Sequence, residues 1–163
     1  MRTPAAVLAP SIMFLGLACA PAEQAPPPAE PEMTQAEAEG VFDALVEAWD
    51  AAQNANDVDA LMALYGADAK AMPPEMPEVA GADALRGLWT DFLDGTQDND
   101  NVLQGLRVSG DLAAIWGYYN TTAPEGEEGG MVTGKWIAIL ERQGDGSWKV
   151  FRNIWNTDSP TGS

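Results

Sequence analysis

The sequence contains no histidine and a single cysteine among its 163 residues. Without histidine, the chain cannot form a Ser-His-Asp triad, a Cys-His dyad or an imidazole metal site. One cysteine allows neither an intramolecular disulfide nor a thiolate zinc cluster. Basic residues are also scarce, because 8 Lys and Arg stand against 25 Asp and Glu, and the formal net charge is −17. This charge argues against nucleic acid as a partner, since phosphates are repelled over a Debye length of about 10 Å.

Residues 1–18 have the pattern of a secretion signal. Arg2 is followed by an uncharged, mostly apolar run from Ala5 to Ala18. A bilayer-spanning helix needs about 20 apolar residues, whereas signal-peptide cores are shorter. We therefore predict that residues 1–18 are a signal peptide and not a transmembrane helix.

The lone cysteine closes the sequence Leu15-Gly16-Leu17-Ala18-Cys19, which resembles the lipobox of bacterial lipoproteins. The resemblance implies that Cys19 is lipidated and becomes the new N-terminus. Ala20, in place of Asp, resembles the sorting signal for the outer membrane. The expected location is therefore extracytoplasmic, on the periplasmic side of the outer membrane, with the lipid as the only membrane contact. The alternative is an ordinary secreted protein that discards Cys19 with its signal.

Composition divides the remaining chain into a tether, a folded domain and a short tail. Residues 19–33 are rich in Pro, Ala and Glu, a composition that cannot bury a core and favours a disordered tether. We predict one folded domain over residues 34–160 and a tail over residues 161–163, because no internal repeat is present and the length fits one domain.

Three helices are predicted in the first half of the domain. Thr34 and Glu37 form a capping box, and apolar residues then recur at helical spacing to about Asn54. A second helix follows Asp57 and ends near residue 66, and a third follows Gly81. The acidic residues of the first and third helices fall off the apolar faces and are expected in solvent: Asp43, Glu47, Asp50, Asp83, Asp91 and Asp94.

The second half of the domain is predicted to be β-sheet. Short extended segments are expected at residues 70–72 and 78–80, and longer strands at residues 102–109, 112–122, 131–142 and 147–157. Gly110-Asp111 has the composition of a hairpin turn. Helices followed by a long antiparallel meander indicate the α+β class.

Both faces of the predicted sheet are apolar. Alternation in the last strand places Val150 and Ile154 on one side and Phe151 and Trp155 on the other. A sheet with one face in water alternates between apolar and polar residues. We therefore expect a second subunit to cover the outer face and form a homodimer.

Several segments together resemble the SnoaL-like, domain-of-unknown-function-4440 branch of the nuclear transport factor 2-like superfamily. They are residues 54–61, 63–69, 72–74, 81–89 and 109–113, and the closing stretch 134–158. The resemblance implies a cone, in which a curved antiparallel sheet wraps around three helices and encloses an apolar pocket, commonly in a dimer. It implies no single activity, because relatives include isomerases, cyclases, epoxide hydrolases, dehydratases and assembly domains.

The resemblance also shows which catalytic groups are missing. Ketosteroid isomerases hold an oxyanion with a tyrosine and abstract a proton with a carboxylate, and these two positions match Trp49 and Pro73. Branches that pair His with Asp are excluded. Arg152 could pair with Asp68 or Asp158 in an Asp-Arg-Asp set, but an arginine paired across strands or exposed is favoured, and Lys135 is expected to be a solvated strand lysine.

We therefore expect a binding or interaction domain with no cofactor, and not an enzyme. An isomerase, cyclase or hydro-lyase that uses an unrecognised acid is the alternative. No metal site is predicted, because the loop that carries Asp94, Asp98 and Asp100 lacks the Gly and Glu of a calcium loop. The expected ligand is small and largely apolar, because the resemblance implies an apolar pocket. The six tryptophans could wall that pocket, although packing in the core or in a dimer interface is favoured for any single one of them. The predicted pocket residues are Trp49, Met72, Trp89, Tyr118, Asn153 and Trp155.

Overall fold

A computed structural model describes residues 33–94, 97–122 and 130–158, all of which belong to the unit Pro31–Ser163. The predicted signal peptide, Cys19 and most of the tether lie outside the described residues. The helices are α1 (Gln35–Asn54), α2 (Val58–Met62) and α3 (Ala82–Leu93). The strands are β1 (Tyr65–Met72), β2 (Val79–Ala80), β3 (Gln97–Ser109), β4 (Leu112–Thr122), β5 (Met131–Arg142) and β6 (Trp148–Thr157). Within these ranges, no helix has both the length and the apolar character needed to cross a membrane.

Side-chain caps begin the first two helices. The Thr34 hydroxyl accepts a hydrogen bond from the backbone N–H of Glu37, whose carboxylate accepts one from the backbone N–H of Thr34. The predicted capping box is therefore confirmed. Asp57 caps α2 by accepting the backbone N–H of Ala60 at 2.9 Å, which satisfies one of the unpaired donors of the first turn.

The strands form one six-stranded sheet in the order β2-β1-β6-β5-β4-β3. All neighbours are antiparallel except β1 and β6, which are parallel. The helices pack on one face, called the inner face below, and the buried core there includes Phe42, Leu61, Leu85, Ile115 and Leu140. The prediction of the α+β class, with N-terminal helices packed on a curved sheet, is confirmed.

β1 begins earlier than the sequence pattern predicts, and α2 is correspondingly shorter. The predicted second helix extends to about residue 66, but α2 ends at Met62. The carbonyl of Leu64 accepts the backbone N–H of Val150 at 2.8 Å, and the carbonyl of Ala63 accepts Lys149 Nζ at 2.6 Å. Tyr65 therefore lies in β1, in register with Val150 of β6, and not on a helix.

β3 also begins earlier than predicted, at Gln97. The polar residues 98–101, expected in a loop, are part of the strand. Asp100 and Asn101 pair with β4, whereas residues 98 and 99 lie in an irregularity of the pairing that follows Gln97. Their side chains and backbone bond to the end of α1: the Asn99 N–H donates to Asn54 Oδ1 at 2.7 Å, and Asn54 Nδ2 donates to the Asn99 carbonyl at 2.8 Å. These residues are polar because they contact the end of α1. A hydropathy pattern does not distinguish such residues from residues that are exposed to solvent.

A β-bulge changes which side chains of β6 share a face. Leu140 pairs with Val150 and Ile139 with Arg152, so one extra residue of β6 lies between the two pairs. Val150 is consequently buried on the inner face, whereas Ile154 lies on the outer face and is exposed. The prediction that Val150 and Ile154 share a side was wrong. The extra residue of a bulge interrupts the alternation of side chains between the two faces of a strand.

Candidate ligand cavity

A cavity of about 260 Å³ lies between the helices and the inner face of the sheet. α1, α3 and four strands, β3 to β6, contribute to its wall. The volume is close to the lower end of the range of about 300–1,000 Å³ that is usual for ligand pockets. It is therefore matched to a small molecule.

Aromatic rings form one side of the cavity. Trp89 of α3 stacks on Trp155 of β6, with ring centroids 5.4 Å apart and an interplanar angle of 22°. The Trp49 ring meets Trp89 edge-on at 5.4 Å, and Phe92 meets Trp155 edge-on at 5.5 Å. Such offset and perpendicular contacts stabilise aromatic clusters beyond their area of burial, so the rings support one another in this wall.

A chain of hydrogen bonds runs behind these rings. The Trp89 indole N–H donates to the Tyr65 hydroxyl oxygen at 2.9 Å, and the Tyr65 hydroxyl donates to Asn153 Oδ1 in a long bond of 3.4 Å. Burial raises the pKa of the Tyr65 phenol far above its ordinary value, against the smaller opposing effect of the Trp89 hydrogen bond. The phenol therefore remains protonated and holds α3, β1 and β6 together.

A second polar cluster joins α1 to β3. Asp50 Oδ1 accepts the backbone N–H of Asn101 at 3.1 Å and Asn101 Nδ2 at 2.5 Å. Asn101 Nδ2 also donates to Gln53 Oε1 at 2.9 Å. Burial raises the pKa of Asp50 against the lowering effect of the Asn101 hydrogen bonds, and the nearby charge of Asp100 raises it further.

This cluster corrects the prediction that every carboxylate of α1 faces solvent. Asp50 is half-buried against β3. However, it does not line the cavity itself, whereas its partner Asn101 does. The helical wheel places Asp50 on the polar half of α1, but it does not show that a polar strand packs beside that half.

Four of the predicted pocket residues line the cavity: Trp49, Trp89, Asn153 and Trp155. Met72 and Tyr118 do not. Met72 pairs with Ile154, and Tyr118 with Lys135, on the outer face. For Tyr118 the prediction fails by one residue, because β4 directs Ile115, Gly117 and Tyr119 inward.

Sequence reasoning missed Gln53, Asn101 and Tyr119. Gln53 is buried although polar, and it follows Val46 and Trp49 on the same stripe of α1. The spacing of three and four residues could have identified it. Asn101 had no such signal, because it lies in a segment that reads as a loop.

Charged side chains do not line the cavity in the described part of the chain. Lys135 forms an ion pair with Asp158. Arg152 lies over the Phe151 ring, 3.6 Å from its centroid, and donates to the Asp68 carbonyl at 3.1 Å. Tyr119 is the one titratable group among the described lining residues, and burial, followed by the charge of Asp158, raises its pKa. The described residues thus supply no ionised acid or base to the cavity surface.

A metal site is also absent from the described ranges, where no three Cys, Asp or Glu side chains converge. The cavity can therefore bind an apolar body and form a few neutral hydrogen bonds.

The SnoaL-like domain model matches residues 46–151, a range that includes most of the cavity wall. No curated protein matches the sequence. The fold is similar to that of a ketosteroid isomerase-like protein from Erwinia carotovora atroseptica, with 22% identity over 74% of this chain and 96% of that one and a TM-score of 0.67.

Two further solved structures have the same fold. An NTF2-like protein of unknown function from Pseudomonas putida is 24% identical over 77% of this chain and 89% of its own, with a TM-score of 0.62. An uncharacterized protein with a cystatin-like fold from Caulobacter vibrioides is 15% identical over 75% and 90%, with a TM-score of 0.64. At these identities the likeness establishes the fold alone.

Proposed function

Because the chain belongs to the SnoaL-like domain family, whose fold hosts many activities, we propose a function from the cavity itself: it binds a small, largely apolar ligand. One observation carries this proposal. The cavity is walled by the Trp49, Trp89 and Trp155 rings and lined by amide and hydroxyl groups, without an ionised side chain among its described residues. Apolar walls with a few fixed polar groups are typical of small-molecule sites.

The experiment uses N-phenyl-1-naphthylamine, a neutral dye whose fluorescence rises in apolar surroundings. Val132 and Thr133 are neighbours on β5, but Val132 lines the cavity and Thr133 does not. We expect saturable binding to the wild type, loss of binding in Val132→Trp, and little change in the control Thr133→Trp. Equal binding by all three proteins would place the dye elsewhere and contradict the proposal.

Catalysis through Asp50 is the second candidate, of the isomerase, cyclase or hydro-lyase kind. It is favoured by the raised pKa of this half-buried carboxylate and by its 2.5 Å contact with cavity-lining Asn101. It ranks second because Asp50 itself does not line the cavity. A base in the site would exchange the methyl protons of acetophenone for deuterium in D₂O, which NMR detects. Accelerated exchange that Asp50→Asn abolishes would favour the enzyme; exchange at the buffer rate would exclude this chemistry for that ketone.

The outer face of the sheet is proposed to pair two copies of the chain. Ile137 and Ile154 are cross-strand neighbours there and are 39% and 44% exposed. Tyr118 extends the same surface beside Lys135. An exposed apolar patch on a sheet face is typical of a protein–protein interface. The patch therefore supports a homodimer, with the cavity on the opposite side of each sheet.

We also propose that the domain is held outside the cytoplasm by a lipid on Cys19, on the periplasmic side of the outer membrane. The support is the position of Cys19 directly after the apolar run that ends at Ala18. Cells fed an isotope-labelled fatty acid should label the wild-type protein, whereas Cys19→Ala should carry no label. An unlabelled wild type would refute lipid anchoring.

A further inference from the structure

The amide of Asn153 has an unused end at the cavity. Asn153 is 8% exposed and lines the cavity wall. The one hydrogen bond of its side chain to a described residue is the bond that Oδ1 accepts from the Tyr65 hydroxyl. The two N–H groups of Asn153 Nδ2 therefore have no partner in the described protein.

The orientation of this amide follows from the groups behind it. The Trp89 indole can only donate, so the Tyr65 oxygen accepts its proton at 2.9 Å. The Tyr65 proton must then find an acceptor, and Asn153 Oδ1 is the acceptor within reach. Turning the amide over would leave the Tyr65 proton unpaired inside the core. Asn153 Nδ2 consequently points away from Tyr65.

Asn153 Nδ2 is also not sealed inside the protein. Among the described residues, Trp148 Nε1 is the one side-chain nitrogen or oxygen that is both fully buried and without a hydrogen-bond partner. Asn153 Nδ2 also lacks a partner, so it is not fully buried. It reaches open space, and the space beside it is the cavity. A donor held in an apolar site is costly unless an acceptor arrives to bind it.

We infer that the cavity selects a neutral molecule whose oxygen accepts a hydrogen bond from Asn153 Nδ2 while its apolar body packs against the tryptophan rings. This inference rests on the proposed ligand-binding function. The ligand is neutral because no Lys or Arg lines the described cavity wall and the chain carries a formal net charge of −17. A carboxylate would meet neutral dipoles without a counter-charge.

Three probes with the same number of non-hydrogen atoms test separately the hydrogen bond to Asn153 and the neutrality of the ligand. Acetophenone carries a neutral acceptor, isopropylbenzene replaces it with a methyl group, and benzoate adds a charge. With the full wild-type chain, we expect saturable calorimetric binding of acetophenone and isopropylbenzene, and weaker binding of benzoate than of acetophenone. Asn153→Leu should weaken acetophenone about three- to tenfold relative to isopropylbenzene, as expected for one neutral hydrogen bond.

The control is Asn156→Leu, which changes an exposed asparagine on the same strand that does not line the cavity. It should leave the ratio of the two affinities unchanged. If both neutral probes bind but Asn153→Leu also leaves the ratio of their affinities unchanged, the inferred hydrogen bond from Asn153 is overturned. The proposed ligand binding would still stand. If benzoate binds more tightly than acetophenone, neutrality is overturned. If isopropylbenzene and acetophenone both fail to bind the wild type, the proposed function itself is contradicted.

A measurement on the wild type keeps the test valid if Asn153→Leu does not fold. The carbonyl stretching band of carbonyl-labelled acetophenone moves to lower frequency when the oxygen accepts a hydrogen bond. We expect the bound band below its position in hexane. A bound band at the hexane position would overturn the inference without any variant.

Discussion

The Trp89 indole N–H donates to the Tyr65 hydroxyl at 2.9 Å and thereby joins α3 to β1 behind the cavity wall. Tyr65→Phe removes this acceptor and leaves a buried indole donor unsatisfied. We expect a loss of about 1–3 kcal/mol in the free energy of unfolding, measured by urea denaturation. Tyr118→Phe, on the exposed outer face, is the control and should change it by less than about 0.5 kcal/mol. Equal losses in the two variants would show that the Tyr65 hydroxyl contributes nothing specific.

Two glycines should respond to alanine with opposite signs. A Cβ at Gly117 of β4 would overlap the backbone carbonyl oxygen of Val102, whereas one at Gly87 of α3 meets nothing within 4 Å. Gly117→Ala should therefore destabilise the protein by about 1–3 kcal/mol or more. Gly87→Ala should stabilise it by about 0.5–1 kcal/mol, because glycine weakens a helix interior. Thermal unfolding distinguishes the two, and stabilisation by Gly117→Ala would contradict the close strand approach.

Asp50 predicts a particular dependence of stability on pH. Burial holds its pKa in the folded state above the ordinary value of 3.8, so folding favours the protonated form. As the pH falls through this raised pKa towards 3.8, the wild type should gain unfolding free energy relative to Asp50→Asn, which does not titrate there. Urea unfolding across this interval measures the difference.

Asp43→Asn is the control for this series, because it changes an exposed carboxylate of the same helix and keeps Asp50. It should show the wild-type response to acid. A wild type that loses stability on acidification relative to Asp50→Asn would reverse the sign and refute the desolvation argument.

If the outer face of the sheet forms the dimer interface, a charged residue introduced there should disrupt the dimer. Ile154→Asp places a carboxylate in the exposed patch formed with Ile137, and burying that charge in an interface is costly. Sedimentation velocity should show a dimer for the wild type and a monomer for Ile154→Asp. Val41→Asp, at a similarly exposed aliphatic residue on α1, should remain a dimer. A monomeric wild type at all concentrations would contradict the proposed pairing.

The sequence predicts the fold class well because the periodic signals are local. The Thr34–Glu37 capping box and the strands at Leu112–Thr122 and Met131–Arg142 agree with the structure. Errors arise where a distant element changes the meaning of a residue. Tyr65 reads as helical until β6 pairs with it, and Asn101 reads as a loop residue until α1 bonds to it.

The same distinction explains the cavity. Helical periodicity predicts that Trp49 and Trp89 face the core, and this periodicity can be read from a single sequence. The predicted lining residue Tyr118 is one position away from the residue that lines the cavity, Tyr119. Which side chains of a strand face inward depends on its register, and only the neighbouring strands determine that register. The orientation of the Asn153 amide depends on three residues from separate elements, so no sequence pattern carries it.

The central claim is that a ligand enters the cavity and contacts its tryptophans, and the indole N–H resonances of the full chain test it directly. Trp49, Trp89, Trp136 and Trp155 line the cavity, whereas Trp116 and Trp148 do not. On titration with isopropylbenzene, the account predicts saturable shifts for the four lining indoles and unmoved resonances for the other two. Shifts confined to Trp116 on the outer face, or no saturable shift at any indole, would contradict it.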